Sequence, residues 1–141
     1  MSFKGFKCYA CSTEQAASFS GCACPACGGN LEVTYDYAAL ASDARSLHKA
    51  AAGRDDIFRY ARLLPVERLD LASPLRVGMT PLYRAERLGA GVGLKNLFLK
   101  DDGLNPSASF KDRAGAVALV RARETGARVI AGASTGNAGS S

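Results

Sequence analysis

Lysine 111 is the first residue whose type and position suggest chemistry. It follows Ser109 and Phe110 at a predicted helix start. An amine that attacks a carbonyl must be deprotonated, and a surface lysine with a pKa of about 10.4 is a poor nucleophile at neutral pH. The positive end of a helix dipole and partial burial both disfavour the ammonium form. Lys111 is therefore a candidate for a Schiff base with an aldehyde cofactor, although most lysines near helix starts are simply solvated.

A second cluster, Ser134-Thr135-Gly136-Asn137, follows a predicted strand. Its hydroxyls, its amide and the backbone N–H groups of a starting helix suit a carboxylate or a phosphate. An ordinary capping turn has the same composition, so both interpretations stay open. Residues 89–93 are predicted to form a flexible glycine-rich loop, which is a weaker phosphate candidate because it lacks the third glycine and no clear strand precedes it.

The third cluster consists of cysteines, paired as Cys8-x-x-Cys11 and Cys24-x-x-Cys27. Two such pairs are typical of one tetrahedral zinc, in which each short turn presents two thiolates. Four cysteine ligands leave zinc no open position, so the metal would be structural. The alternative is a ribbon that keeps this shape without metal. Cys22, a fifth cysteine, leaves the choice of ligands less certain.

The surrounding elements predict two domains, a zinc-ribbon-like module over 1–37 and an α/β part over 38–141. Alternating apolar residues in 30–37 predict a strand that closes the ribbon. Further along, the pattern predicts a strand over 96–100, a helix from Ser107 or Ser109 to Gly126, and a buried strand over 128–131. Strand, helix, strand and helix start are typical of a parallel α/β sheet, whose ligands lie at the carboxyl ends of the strands.

Composition excludes several functions. The net charge is +5, but the arginines are scattered and lack the interleaved aromatics of nucleic-acid binders. No apolar run approaches the roughly 18 residues of a membrane span, and no secretory signal is evident. The expected compartment is therefore a reducing cytoplasm, where the five cysteines near the N-terminus are unlikely to form disulfides. His48, the single histidine, lies in a predicted helical region over 38–64 and is expected on its surface.

Four motifs in order carry a resemblance to a known family. Residues 105–113, NPSASFKDR, resemble the NPTGSFKDR signature of threonine synthases, which are fold-type II enzymes dependent on pyridoxal 5′-phosphate (PLP). Residues 134–137 resemble the STGN loop of that family. Residues 77–82 are similar to its G-x-TPL segment, and residues 99–102 to its LKxE/D strand end. Several members also carry an N-terminal cysteine ribbon.

The resemblance implies a role for each matching residue. Lys111 would hold PLP as a Schiff base and later move the substrate proton, and Phe110 would pack beside the cofactor. Asn137 would donate a hydrogen bond to the ring oxygen, while Ser134 and Thr135 would hold the substrate carboxylate. The family converts O-phosphohomoserine and water to threonine and phosphate, with PLP as electron sink. Neither a nucleic acid nor a membrane is an implied partner.

Two departures and one absence qualify these expectations. Ser107-Ala108 stands where the family usually has Thr-Gly, and Ala138 stands where Thr is common. The family's phosphate cradle and its partner for the pyridine nitrogen come later in a longer chain. We therefore expect these 141 residues to be an N-terminal fragment that is inactive alone, from a full-length form that self-associates.

Two alternative functions remain open. Another fold-type II PLP lyase, such as cysteate synthase, has similar motifs, whereas threonine dehydratase has a different lysine motif. A non-catalytic zinc-ribbon binding module is the alternative from a different class of protein.

Overall fold

The N-terminal part of the chain folds as a three-stranded antiparallel sheet. The computed structural model describes residues 2–42 and 53–141, so His48 and most of the predicted helical region around it lie outside the described residues. The strands are β1 (Phe3–Cys8), β2 (Glu14–Ala16) and β3 (Leu31–Tyr35), in the order β2-β1-β3. The strand predicted over 30–37 is thus confirmed at Leu31–Tyr35.

Short helical elements follow the sheet. Helix α1 spans Tyr37–Ser42, and 3-10 helices span Ile57–Leu63 and Leu69–Leu71. Asp56 caps the first 3-10 helix, since its carboxylate accepts a hydrogen bond from the Phe58 N–H at 2.9 Å. The described part of the predicted helical region 38–64 is therefore partly helical. Its C-terminal part, Ile57–Leu63, is a 3-10 helix and not an α-helix.

A second, two-stranded sheet pairs β4 (Leu82–Arg84) with β5 (Phe98–Lys100), again antiparallel. Helix α2 (Glu86–Gly91) connects them. The loop predicted over 89–93 is therefore wrong in its first part, because the Gly89 N–H donates to the Ala85 carbonyl at 2.8 Å and continues the helix. A 3-10 turn, Asp102–Leu104, follows β5.

Helix α3 (Lys111–Glu124) is the longest helix that the structure describes. The Ser109 hydroxyl accepts the Lys111 N–H at its start, as predicted for one of the two candidate caps. At its end the Ala127 N–H donates to Ala122 and the Gly126 N–H donates to Arg123. Gly126 has a φ of 77°, so this is the Schellman motif that glycine permits, and the predicted stop is confirmed.

The strand predicted over 128–131 is wrong. These residues have no strand assignment, and both sheets in the described part of the chain are antiparallel. A strand exists only where a neighbour takes up its backbone hydrogen bonds, and no described segment pairs with 128–131. Val129 and Ile130 are exposed accordingly. The structure therefore shows a mixed α/β chain with no parallel sheet among the described residues. The last helical element is α4 (Asn137–Ser140).

The core lies beneath α3, where Val120 packs with Phe58 and Val66. Partly buried apolar side chains from the two central 3-10 helices and from α3 surround these three. The core therefore fixes the helix that begins at Lys111 on the segment before β4. No helix among the described residues has the length and apolar character needed to cross a membrane.

Candidate functional site

Lys111 lies at the first position of α3 with an exposed side chain. Its Nζ atom lies 4.7 Å from the centre of the exposed Phe110 ring. Among the described residues, no carboxylate lies within ion-pair distance of this amine. The amine is thus accessible rather than partly buried as expected from the sequence, and an aromatic face lies next to it.

Arg113, two residues further along, joins α3 to two other motifs. Its guanidinium donates to both carboxylate oxygens of Asp102, at 2.9 and 2.7 Å, and to the Thr80 hydroxyl at 3.2 Å. Thr80 is buried, and its hydroxyl donates to the same carboxylate at 2.7 Å. Hydrogen bonds from Arg113, then from Thr80, lower the pKa of Asp102 to about 2. The carboxylate therefore stays ionised and holds the three segments together.

Two further buried polar side chains fix the loop before Lys111. The Asn105 side-chain oxygen accepts the Gly78 N–H at 2.9 Å, which joins this loop to the segment before β4. Asp112 accepts the Ser107 N–H at 2.8 Å and the Ser107 hydroxyl at 2.6 Å. Burial alone would raise the pKa of Asp112, but the Ser107 hydrogen bonds hold it below its usual value.

The sequence motifs contain these positioning residues but do not reveal the contacts between them. Asp102, Asn105, Asp112 and Arg113 all lie inside the quoted motifs. A charged or amide side chain beside the reactive lysine is a signal of a buried network, since such groups are buried only when they are paired. The partners themselves come from segments distant in sequence.

Ala108 occupies a strained position in the same loop. Its φ is 57°, in the left-handed region where alanine is disfavoured by about 1–2 kcal/mol. The threonine synthase signature usually has glycine here, which adopts this conformation without strain. The departure from the signature thus falls on a residue whose backbone favours glycine.

We expect Ala108→Gly to stabilise the chain by about 0.5–1 kcal/mol, because relief of the strain exceeds the added entropy of the unfolded glycine. Urea unfolding measures the change in the free energy of unfolding. Ala114→Gly, at an exposed right-handed position in α3, is the matched control and should destabilise by about 1 kcal/mol. Destabilisation by both variants would contradict the strain at Ala108.

Of the polar cluster Ser134-Thr135-Gly136-Asn137, only Ser134 lines a cavity. A cleft of about 550 Å³ lies between α3 and residues 130–134, and Ser134 lines it together with Asp112 and Gly115. Lys111, Phe110, Thr135 and Asn137 do not line this cleft. Helix α4 nevertheless lies near the start of α3, since the Ser141 hydroxyl is 3.2 Å from that of Ser107. The Ser134 hydroxyl accepts the Gly136 N–H at 3.2 Å, the geometry of a local turn.

The four paired cysteines converge at the end of the N-terminal sheet. The Sγ atoms of Cys8, Cys11, Cys24 and Cys27 all lie within 4.8 Å of one another, and Cys22 is not among them. Cys27 Sγ lies 3.5 Å from Cys8 and 3.3 Å from Cys11, and Cys11 lies 3.6 Å from Cys24. A tetrahedron of thiolates with Zn–S bonds of about 2.3 Å has edges of about 3.8 Å. The donor set thus fits one zinc ion with small adjustments.

Two equivalent backbone turns present these thiols. The Ser12 N–H donates to the Cys8 carbonyl at 3.0 Å, and the Gly28 N–H donates to the Cys24 carbonyl at 2.8 Å. Ser12 and Gly28 both have left-handed φ angles, 61° and 73°. Each turn has one buried cysteine, Cys8 or Cys24, and one exposed cysteine. The ribbon therefore contains two copies of one cysteine-bearing turn facing each other.

Crowding of the thiols perturbs their protonation. The Thr13 hydroxyl is the main cause that lowers the pKa of Cys11 to about 6. The Gly29 N–H favours the Cys27 thiolate, but the neighbouring thiols Cys11 and Cys8 outweigh it and raise the Cys27 pKa to about 12. A bound cation would favour the thiolate form of all four cysteines.

The segment that contains Lys111 is similar to known proteins. Residues 74–141 match the family described as "Pyridoxal-phosphate dependent enzyme". Threonine synthase from Methanosarcina acetivorans is 39% identical over 131 residues, which are 93% of this chain and 31% of that protein. Threonine synthase from Methanocaldococcus jannaschii is 42% identical over 115 residues, 82% of this chain and 28% of that protein.

A bacterial relative shows the same pattern over a shorter stretch. Threonine synthase from Synechocystis is 40% identical over 89 residues, 62% of this chain and 23% of that protein. The chain thus spans about a third or less of the length of the curated relatives it matches. No solved structure gives a significant match.

Proposed function

We propose that this chain supplies the lysine-bearing part of a threonine synthase, since residues 74–141 match the family of pyridoxal-phosphate dependent enzymes. The substrate is then O-phosphohomoserine, and the products are threonine and phosphate. The observation that carries the proposal is the accessible Lys111 amine, at the start of a helix whose flanking residues are fixed by Arg113 and Asp112. The relatives described above are all named threonine synthase, which favours this reaction over that of another PLP lyase.

The residues near Lys111 fit the cofactor by their chemistry. A primary amine without a carboxylate partner among the described residues is free to condense with an aldehyde. The Phe110 ring beside it offers an apolar face to a flat heteroaromatic ring. When bound, PLP supplies an electron sink for the amino-acid substrate.

The proposed roles of the site residues are those that the resemblance to threonine synthases implies. Lys111 holds the cofactor and then moves the proton at the substrate α-carbon. Asn137 donates a hydrogen bond to the cofactor ring oxygen, and Ser134 and Thr135 bind the substrate carboxylate with hydroxyl groups at the start of α4. In the described structure these side chains are exposed, so we expect them to move against Lys111 when the cofactor and the substrate bind.

The cysteine ribbon is proposed to hold one structural zinc ion through Cys8, Cys11, Cys24 and Cys27. The two facing turns and the short Sγ–Sγ distances support this assignment. Four thiolates complete a tetrahedral shell and leave no position for a substrate. Free thiols in such a ribbon suit a reducing cytoplasm, which is the compartment that we propose.

The cofactor role of Lys111 can be tested on the chain itself. The protein is incubated with limiting PLP and reduced with borohydride, and its peptides are mapped by mass spectrometry. We expect the phosphopyridoxyl group on Lys111 in preference to the other lysines, and we expect Lys111→Ala to remove that preference. Lys95→Ala, which replaces another exposed lysine, should leave the labelling of Lys111 unchanged.

Equal labelling of all lysines in the wild-type chain would contradict the proposed role of Lys111. The substrate is tested separately by phosphate release from O-phosphohomoserine, with O-phosphoserine as the competing substrate, in an enzyme that contains this segment. Preference for O-phosphoserine would favour a cysteate-synthase type of reaction instead.

A further inference from the structure

Arg121, near the end of α3, contacts the cysteine ribbon. Its Nη2 atom donates hydrogen bonds to the carbonyls of Ala17 and Phe19, the latter at 3.1 Å. Its guanidinium carbon lies 5.4 Å from the Phe3 ring centre and 5.7 Å from the Phe6 ring centre. One side chain on the lysine-bearing helix thus contacts both β1 and the segment that follows β2.

The opposite side of the same guanidinium is also fixed. Arg121 Nη1 lies 3.3 Å from Glu124 Oε2, and the two side chains are only 20% and 8% exposed. The other oxygen of Glu124 accepts the backbone N–H groups of Glu67 and Arg68, at 2.5 and 2.6 Å. Arg121 is therefore held in place by α3 and by the segment beneath it, and it is presented to the ribbon as a fixed group.

The ribbon elements that Arg121 contacts lead directly to the cysteines. Phe6 is on β1, which ends at the buried Cys8. Phe6 packs edge-on against Phe19, with ring centres 6.3 Å apart, and Phe19 begins the stretch that reaches Cys24. Cys8 is thus linked to the Arg121 contacts through β1, and Cys24 is linked to them through the stretch that follows Phe19.

We propose that Arg121 is a positioning residue that couples metal binding in the ribbon to the order of α3, the helix that begins at Lys111. The inference rests on the zinc site proposed above. A metal that fixes the two cysteine turns also fixes the carbonyls and rings that receive the guanidinium. By linkage, a helix that is bound to the ribbon strengthens metal binding by the same factor.

The coupling is measurable as a change in zinc affinity without any cofactor. Charge-assisted hydrogen bonds and cation–π contacts that are partly shielded from water contribute enough for a tenfold effect. We expect Arg121→Ala to weaken zinc affinity about tenfold, measured by competition with a chromophoric chelator. Arg121→Lys keeps the charge but loses the planar fork, so it should have an intermediate affinity.

Hydrogen exchange provides the second readout. Removal of zinc from the wild-type chain should speed amide exchange across Lys111–Glu124 about tenfold, and this response should be absent in Arg121→Ala. Arg123→Ala is the matched control, because Arg123 also lies on α3 but donates to the Leu71 carbonyl rather than to the ribbon. It should leave both the zinc affinity and the response to zinc unchanged.

The outcomes separate this inference from the zinc site on which it rests. Stoichiometric zinc binding whose affinity is the same in wild type and Arg121→Ala would overturn the coupling alone. Equal weakening by Arg121→Ala and Arg123→Ala would also overturn it, because loss of helix stability would then explain both. A wild-type chain that binds no zinc would overturn both the metal site and the coupling.

Discussion

Replacement of Cys24 by serine is expected to abolish stoichiometric zinc binding and to unfold the three-stranded ribbon. Cys24 is 3% exposed and Cys8 is 1% exposed, so these thiols form the inner half of the proposed metal shell. A serine hydroxyl is a poor zinc ligand, and structural zinc supplies about 10–16 kcal/mol of apparent binding free energy that is also folding free energy. Native mass spectrometry of the metal content and amide exchange of β1 and β3 measure the two effects.

Cys22→Ser is the matched control for this prediction. Cys22 is exposed and stands outside the group of four converging thiols. The variant should therefore keep one zinc ion per chain and the exchange pattern of the wild type. Loss of zinc from Cys22→Ser, or its retention by Cys24→Ser, would contradict the assignment of ligands.

Arg113→Ala is expected to destabilise the chain by about 3 kcal/mol. The substitution leaves the Asp102 carboxylate without its bidentate partner, and the two side chains are only 29% and 23% exposed. Removal of one member of a buried pair costs about 3–5 kcal/mol, and partial exposure places this pair at the low end. Urea unfolding measures the loss.

Arg68→Ala provides a like-for-like comparison, since Arg68 pairs with Asp70 at 2.6 Å but both side chains are more than half exposed. Pairs of this kind contribute about 0–1 kcal/mol. Equal effects of the two arginine substitutions would show that the Arg113 network does not hold the three motifs together.

Acid should weaken the same network. The folded-state pKa of Asp102 is about 2, whereas an unfolded aspartate titrates near 3.9. The stabilisation from this lowered pKa is therefore complete above about pH 5 and is lost as the pH falls through 2, by about 2.5 kcal/mol at most. Asp102→Asn should remove that part of the acid sensitivity.

Local patterns predicted those elements whose stabilising contacts are local. The two cysteine turns, the strand Leu31–Tyr35 and the end of α3 at Gly126 depend on residues a few positions apart. The prediction of a strand over 128–131 is wrong because a strand depends on hydrogen-bonding neighbours rather than on its own apolar character. Likewise, no short-range signal paired Arg113 with Thr80, which lies 33 positions away.

The candidate site, too, could be predicted from the sequence only in part. The motifs identified Lys111 and its flanking residues, and the structure adds what holds them in place. Whether Lys111 lies near Asn137 depends on how α4 packs, which the sequence of either motif does not specify. For that reason the roles of Ser134, Thr135 and Asn137 stay predictions.

The paired cysteine turns have a consequence for how this protein tolerates changes in length. They lie at the two ends of the segment 12–23, so a bound ion would staple that segment into a closed loop. The entropy of closing a loop rises only slowly with added residues, so loop closure by itself sets little limit on the length of this segment. Insertions between Ala17 and Phe19 are a different matter, because they would shift the carbonyls that receive Arg121.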